Sequence, residues 1–342
     1  MCREATGWSR KQRPCVRFLH ALIYVSVEIK RKNFEMTGKY ESDNFMTNCV
    51  LCPRQCHANR NAGQIGYCGQ TDKLMAARAA LHFWEEPCIS GTNGSGTVFF
   101  SGCNLRCVFC QNHNIALGEA GQSVSNGRLV EIFLELQEKG AHNINLVTPT
   151  HFIPQIKSAL ETAKLQGLSI PIVYNTGSYE EVSSLRLLDG LVDIYLPDLK
   201  YHSPELSLRF SHAANYFEKA TLAIAEMYRQ VGTPFFTDDG SGLLKRGMIV
   251  RHLLLPGQTK DSKKILRYLY ENYGDNIYIS IMSQYTPLPH VAHLPELNRK
   301  VSDEEYERVL TFARRLGITN GFYQEGDTAE ESFIPSFDGE GL

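Results

Sequence analysis

Short apolar runs alternate with amphipathic stretches along the chain from Thr97 onward. An apolar run of about four to eight residues is typical of a buried strand, whereas apolar positions spaced three and four apart predict a helix. The alternation therefore predicts a parallel sheet whose strands are joined by helices. We predict six strands over residues 97–101, 143–148, 171–175, 192–196, 248–254 and 276–282, and a short seventh over 321–324.

Six strand–helix units indicate an α/β fold that forms a barrel or a partial barrel. In such a barrel the active site lies where the strands end and the loops to the helices begin. A doubly wound open sheet is the alternative, because one sequence does not reveal the order of the strands.

Local signals mark several helix starts and one loop. Residues 235–247 contain the run Asp-Asp-Gly-Ser-Gly and predict a turn-rich loop. The helix starts carry two capping boxes and one N-cap followed by proline. These signals are Ser178 with Glu181, Ser302 with Glu305, and Ser203 with Pro204.

The composition is that of an ordinary globular protein, with 43% hydrophobic residues, 21% charged residues and a formal net charge of −2. These values argue against a disordered protein and against a membrane protein. Binding to a phosphate backbone needs a broad basic excess, which the chain lacks. We therefore expect no nucleic-acid partner and no association with a membrane.

The first 47 residues superficially resemble a signal peptide, because basic residues precede an apolar run over 18–29. That run is too short to span a bilayer and contains His20 and Glu28. No small-residue cleavage site follows it. We predict a poorly ordered leader, with Met36 or Met46 as an alternative start.

The ten cysteines are concentrated in the first third of the chain, and none follows Cys110. Cysteines that staple a fold by disulfides are scattered over its elements, whereas knots of short spacing are typical of metal sites in a reducing cytoplasm. We therefore expect a cytoplasmic protein. The two knots are Cys49, Cys52, Cys56 and Cys68 upstream, and Cys103, Cys107 and Cys110 downstream.

The downstream knot directly follows the first predicted strand with the spacing C-x3-C-x2-C. Three thiolates can bind three irons of a cubane and leave the fourth iron open, whereas electron-transfer clusters use four cysteines. The alternatives are a zinc site with His113 as the fourth ligand, or buried free cysteines.

This spacing, with the aromatic Phe109 just before the last cysteine, resembles the radical S-adenosylmethionine (SAM) superfamily. The resemblance implies a partial (β/α)6 TIM-like barrel, a [4Fe-4S] cluster on Cys103, Cys107 and Cys110, and SAM bound at the open iron. It also implies reduction by a flavodoxin or ferredoxin, and cleavage of SAM to a 5′-deoxyadenosyl radical that abstracts a substrate hydrogen.

Members of the superfamily usually carry a Gly-Gly-Glu-like segment after the second strand, where it meets the amino group of SAM. Thr148 and Thr150 stand at that place here, and their hydroxyls are candidate acceptors for the same group. A plain helix-start turn is the alternative. Asn175, after the third strand, is a candidate for binding the ribose of SAM or for a simple turn.

Two later elements resemble activases of glycyl radical enzymes. Asp198 and Lys200 form an Asp-x-Lys element that would position the carboxylate of SAM or a cation, the alternative being a solvated ion pair. Arg251 and His252 are further candidates in the fifth strand. Successive strand residues point to opposite faces, so at most one of these two faces the barrel interior.

The upstream knot has spacings of two, three and eleven intervening residues. Four thiolates in so short a span suit an auxiliary iron–sulfur cluster or tetrahedral zinc, and reduced structural cysteines are the alternative. Cys88 is a substitute ligand between the knots, and we predict no role for Cys2 or Cys15.

The whole pattern from Cys49 to the end resembles pyruvate formate-lyase activating enzyme-like proteins and radical SAM proteins associated with MEMO and AMMECR1. It implies a radical SAM oxidoreductase that acts on a glycine or another substrate, with a protein among the candidates. A rival enzyme would bind or oxidise a small molecule at the upstream knot, and a non-catalytic zinc- or iron–sulfur-binding protein is the other alternative. The predicted segments are a leader (1–47), a Cys-rich metal-binding segment (48–96), the barrel (97–326) and a C-terminal tail (327–342).

Overall fold

A computed structural model describes residues 44–324 and 335–342. Most of the predicted leader, residues 1–43, lies outside the described residues. Its last four residues form helix α1 (Asn44–Thr47), in which Met46 is buried beside Cys49 and Leu51. Across the described ranges, none of the helices is both long and apolar enough to cross a bilayer.

Seven parallel strands follow one another across the sheet in chain order, and each confirms a predicted strand. Doubly wound sheets reverse their strand order, so this order is that of a partial barrel. The strands are β2 (Ser95–Phe100), β4 (Ile144–Val147), β5 (Ile172–Thr176), β6 (Ile194–Pro197), β8 (Leu244–Leu253), β9 (Tyr278–Met282) and β10 (Gly321–Tyr323).

Three antiparallel strands extend this sheet. β1 (Met75–His82) pairs with β2, and β3 (Gln122–Ser123) pairs with β1. β7 (Phe235–Phe236) pairs with the start of β8. The prediction of a turn-rich loop over 235–247 is wrong only at its two ends, where residues 235–236 and 244–247 form the arms β7 and β8 of a short hairpin. Residues 237–243 between the arms form the predicted loop.

In the described residues nine helices follow α1, and most of them cover the outside of the barrel. They are α2 (Pro87–Ser90), α3 (His113–Ala116), α4 (Asn126–Glu138), α5 (Ile153–Leu165), α6 (Val182–Leu185), α7 (Pro204–Ser211), α8 (Tyr216–Val231), α9 (Thr259–Tyr273) and α10 (Asp303–Leu316). Single 3-10 turns occur at Arg60–Ala62, Thr150–Phe152, Arg186–Leu188, Gly274–Asn276 and Pro289–Val291.

Two of the three predicted capping signals are confirmed. Ser302 and Glu305 form a full capping box at α10, and the Ser203 hydroxyl accepts the Leu206 N–H at the start of α7. The box at Ser178 is wrong, because Ser178 adopts a left-handed φ of +64° and α6 begins only at Val182.

Strand alternation divides the core into two layers. Leu146, Tyr174 and Val250 face the helices, where burial of apolar surface holds the layers together. Val173, Ile194 and other inward-facing residues pack with Cys88 and Ile89 of α2, which closes the barrel at the amino ends of its strands. Cys88 is therefore part of an apolar floor and does not lie in either cysteine knot.

The described part of the C-terminal tail lies along β1. The N–H of Ala79 donates to the carbonyl of Glu340 at 2.8 Å, and the N–H of Gly339 donates to the carbonyl of Ala77 at 3.1 Å. Arg78 forms an ion pair with Asp338 at 3.3 Å. Residues 335–342 thus add a further layer of backbone hydrogen bonds to the edge of the sheet.

Candidate active site

A cavity of about 590 Å³ opens inside the barrel toward the carboxyl ends of its strands. It collects residues from the loop after β2 and from the ends of β4, β5, β6 and β8, as expected for a barrel of this kind. The predicted site residues that line it are Cys103, Cys107, Phe109, Cys110, Thr148, Thr150, Asn175, Asp198, Lys200 and Arg251.

The loop that carries Cys103, Cys107 and Cys110 leaves β2 through Gly102. Gly102 has a φ of +89°, and a Cβ on it would lie 2.6 Å from the carbonyl oxygen of Cys68. Only glycine tolerates both the left-handed backbone and this close approach. The local sequence thus turns the loop sharply at the point where it meets the upstream knot.

Hydrogen-bond donors approach the thiols of this loop. The Ser211 hydroxyl donates to Cys107 Sγ at 3.0 Å, and the Leu105 N–H donates to Cys103 Sγ at 3.4 Å. Burial raises the pKa of Cys103, and it raises the pKa of Cys110 to about 12. Buried thiolates therefore need a cationic partner, which is what an iron cluster supplies.

This donor set fits a cluster held by three cysteines. The three sulfurs belong to one loop at one wall of the cavity, and donors to the sulfurs are the outer interactions that tune such clusters. Within the described ranges, no group of three or more His, Cys, Asp and Glu side chains lies close enough together to hold one metal ion. A cubane differs from such a site because its three cysteines each bind a different iron.

Phe109 holds the loop against the helical layer. Its ring packs edge-on against Tyr201 and Phe210, each at 6.4 Å between ring centres, and against Tyr285 at 6.1 Å. Edge-on packing of aromatic rings stabilises a fixed geometry. Phe109 thus forms apolar cavity wall between Cys107 and Cys110.

Asp198 and Lys200 form an ion pair at 2.5 Å, with side chains only 24% and 16% exposed. The pair is therefore mostly buried, unlike a freely solvated pair on the surface. Burial disfavours the Lys200 ammonium, but negative charge on Asp198 and at the Cys107 sulfur outweighs it and raises the pKa of Lys200. A fixed positive charge thus stands between Asp198 and the cysteine loop.

Arg251 faces the cavity, where it binds two carboxylates that the sequence analysis missed. Its Nε donates to Glu86 at 3.0 Å, and its Nη2 donates to both Glu85 and Glu86. Glu85 also accepts from Asn145 at 2.7 Å and from Asn175 at 3.4 Å. Glu85 lines the cavity and so links β4, β5 and β8 at one point.

His252 points the other way, into the helical layer. Its ring nitrogens hydrogen-bond the carbonyl of Leu199 and the hydroxyl of Ser262, each at 2.8 Å. Burial lowers its pKa. The structure therefore does not bring His252 to the cavity with the other predicted residues.

Thr150 lines the cavity and begins a 3-10 turn, as the interpretation of this segment as a helix-start turn predicts. Its hydroxyl donates at 2.6 Å to Glu180, which also accepts from Thr176 at 2.5 Å. Thr148 adopts a left-handed φ of +58° at the cavity wall. Burial raises the pKa of Glu180 to about 7, and its second oxygen has no hydrogen-bond partner among the described residues.

The upstream knot lies outside the cavity, against the outer side of the downstream loop. The N–H of Cys103 donates to the carbonyl of Cys68 at 3.2 Å. Burial raises the pKa of Cys52 to about 12, and the neighbouring charges of Cys68 and Cys49 add to this effect. The two predicted knots are thus neighbours in space.

A family model described as the Radical SAM superfamily matches residues 97–269. An uncharacterized protein of Methanocaldococcus jannaschii is 28% identical over 292 residues, which cover 80% of this chain and 77% of that protein. SuiB of Streptococcus suis bound to S-adenosylmethionine has 12% identity and a TM-score of 0.45, over 65% of this chain and 48% of SuiB. A domain of a pyruvate-formate lyase-activating enzyme from Bacteroides vulgatus has 13% identity and a TM-score of 0.37, over 51% of this chain and 91% of that domain. The chain therefore spans about half the length of SuiB.

Proposed function

The chain belongs to the radical SAM superfamily, and from this premise we propose that it cleaves SAM reductively in the barrel cavity and abstracts a hydrogen from a substrate. One observation carries the proposal: Cys103, Cys107 and Cys110 line the same cavity as Asp198, Lys200 and Arg251. A binding module has no need of a three-cysteine loop that shares a cavity with charged side chains.

Cys103, Cys107 and Cys110 would hold three irons of a [4Fe-4S] cluster. When bound, this cluster and SAM supply the radical chemistry, namely one-electron cleavage of SAM and abstraction of a substrate hydrogen. Lys200 places a positive charge beside the cysteine loop, and Ser211 donates to Cys107. Both interactions stabilise negative charge on the thiolates.

The remaining polar side chains would bind and orient SAM. The Asp198–Lys200 pair offers one acceptor and one donor for its amino and carboxylate groups, and Asn175, held by Glu85, faces the same space. Phe109 and Tyr285 form apolar wall that limits access of water to the reacting atoms. Thr148 contributes a further hydroxyl at the cavity wall.

The finer proposal is an activase of a glycyl radical enzyme that works in a reducing cytoplasm with a flavodoxin or ferredoxin as reductant. The Asp198-x-Lys200 element at the end of β6 supports it. The test is electron paramagnetic resonance of a candidate glycyl radical enzyme after incubation with the reduced protein and SAM. A glycyl radical signal supports the activase, and its absence with SAM cleavage intact points to another substrate.

The class of chemistry is tested by measuring 5′-deoxyadenosine. The protein is purified without oxygen, reconstituted with iron and sulfide, and reduced with dithionite in the presence of SAM. We expect 5′-deoxyadenosine from the wild type and from Cys88→Ala, whose cysteine lies in the apolar floor, and none from Cys107→Ala. Bound zinc with no cluster absorbance and no product would leave a non-catalytic metal-binding protein.

A further inference from the structure

The four thiols of the upstream knot lie near one another although they come from separate turns of residues 49–68. A Cβ on Gly66 would lie 3.4 Å from the sulfurs of both Cys56 and Cys68, so these two sulfurs flank the same glycine. The Cys49 thiol lies within hydrogen-bonding reach of Cys56, and the charges of Cys49 and Cys68 act on Cys52.

Donors to sulfur surround this group. Cys52, Cys56 and Cys68 each accept the backbone N–H of the residue two positions later, a repeated local geometry. The Arg60 side chain is fully buried and directs Nη1 toward Cys49 Sγ at 3.9 Å. Neutral thiols are weak acceptors, whereas thiolates bound to a metal are stabilised by such outer donors.

From this arrangement we infer that Cys49, Cys52, Cys56 and Cys68 bind a second, thiophilic metal centre whose occupancy fixes the loop of Cys103, Cys107 and Cys110. The centre is a four-thiolate site for an iron–sulfur cluster or for zinc, and a single zinc ion requires the sulfurs to move closer together than they lie in the described residues. The effect on the loop rests on the proposed function, whereas the presence of the metal does not.

Arg54 is the first physical link between the knot and the loop. It lies between the ligands Cys52 and Cys56, so metal binding on both sides fixes its backbone. Its Nε donates to the carbonyl of Asn104 at 2.8 Å, and its Nη2 donates to the carbonyl of Ser211 at 2.8 Å. The guanidinium also lies over the Tyr67 ring at 4.1 Å. Arg54 is thus a positioning residue that holds the backbone of the cluster loop, the loop that carries Cys103, Cys107 and Cys110.

Two further links fix the start of the loop. Cys68 accepts the N–H of Cys103, and the Arg60 side chain donates to the carbonyl of His151 at 2.7 Å. His151 in turn hydrogen-bonds the carbonyl of Ser101 at 2.7 Å. Loss of the metal would release the knot, and with it the contacts at Ser101, Cys103 and Asn104 together.

The first test is metal analysis of the protein purified without oxygen. We expect the triple variant Cys103→Ala, Cys107→Ala, Cys110→Ala to retain about one zinc or about four irons per chain. Adding Cys52→Ala and Cys56→Ala should remove that metal. Zinc without sulfide identifies a zinc site, and iron with equal sulfide identifies a cluster. A triple variant with no more metal than the quintuple variant overturns the inference.

The second test is Arg54→Lys, which keeps the charge but loses the two-pronged contact with the carbonyls. We expect the metal content of the knot to equal that of the wild type. The electron paramagnetic resonance spectrum of the reduced cluster should differ from the wild-type spectrum on addition of SAM. SAM cleavage should be at least about tenfold slower, as expected for loss of a hydrogen bond from a charged group. Arg78→Lys, whose side chain binds the C-terminal tail, is the matched control. Wild-type spectra and rates in Arg54→Lys overturn the positioning role. If the wild type itself cleaves no SAM, the proposed function fails while the metal analysis still decides the second centre.

Discussion

The backbone N–H of Cys103 donates a hydrogen bond to the carbonyl oxygen of Cys68 at 3.2 Å, which joins the two cysteine knots directly. The bond forms because Gly102, the preceding residue, lets the loop pass close to Cys68. The position of the cluster loop therefore depends on the segment around Cys68. This segment precedes the region matched by the family model, residues 97–269, by about thirty residues.

Gly102→Ala should destabilise the protein and prevent stable loading of the cluster. The left-handed φ costs an alanine about 1–2 kcal/mol, and the clash with Cys68 adds about 1–3 kcal/mol. Gly63→Ala is the matched control, because Gly63 has a similar φ of +81° but its added Cβ would have no atom of the described residues within 4 Å. Urea unfolding and iron content measure both effects. Equal losses in the two variants would show that the contact with Cys68 is unimportant.

Ser211→Ala should lower the reduction potential of the cluster. The hydroxyl of Ser211 donates to Cys107 Sγ, and hydrogen bonds to cluster sulfurs raise the potential because they stabilise the reduced, more negative state. Ser207→Ala is the control, since Ser207 is also buried on α7 but donates to the carbonyl of Pro204. Redox titration followed by resonance spectroscopy should shift only for Ser211→Ala. An unchanged potential there would contradict the role of the hydroxyl.

Glu85→Gln and Glu86→Gln should distinguish a role in SAM cleavage from a role in the stability of the fold. Both carboxylates pair with Arg251, so each variant should lose about 1–3 kcal/mol of unfolding free energy. Only Glu85 lines the cavity, so only Glu85→Gln should slow SAM cleavage, by about tenfold or more. Thermal unfolding and 5′-deoxyadenosine formation distinguish the two effects. Equal losses of activity would indicate that Arg251 alone matters.

Glu180 should make the stability fall as the pH rises from about 4.5 to about 7. Burial raises its pKa to about 7 in the folded state from an ordinary value of 4.5, so the folded chain binds more protons in this window. The loss amounts to about 3 kcal/mol and is complete above the folded pKa. Glu180→Gln should remove it, so the variant should exceed the wild type in stability near pH 8 and match it near pH 4. Urea unfolding across this range tests the slope, and parallel curves would refute it.

The parallel strands could be predicted because buried central strands are nearly continuous apolar runs, such as Ile144–Val147. β1 could not, because Met75–His82 is rich in alanine, which has a weak preference for strands. Its position is set by pairing with β2 and by the tail. The helix start predicted at Ser178 is also wrong because of tertiary contacts. The nearby Glu180 turns inward to accept the Thr150 hydroxyl, and α6 begins only at Val182.

The cysteine loop and the strand-end residues could be predicted because spacing and strand ends are local properties. Glu85 could not, because two adjacent carboxylates before a proline are typical of an exposed turn. Its partners Asn145, Asn175 and Arg251 follow much later in the chain, and only the closed barrel brings them together. Arg54 was missed likewise, because its contacts are with backbone carbonyls, which have no sequence signature.

The tail that lies along β1 also protects an edge strand. One side of β1 pairs with β2, while β3 covers the other side only at Met75 and Ala76. Gly339 and Glu340 occupy the next backbone groups, those of Ala77 and Ala79. A chain without residues 335–342 would present these groups to other chains, and unpaired strand edges of this kind template self-association. We therefore expect residues 335–342 to keep the protein soluble at high concentration.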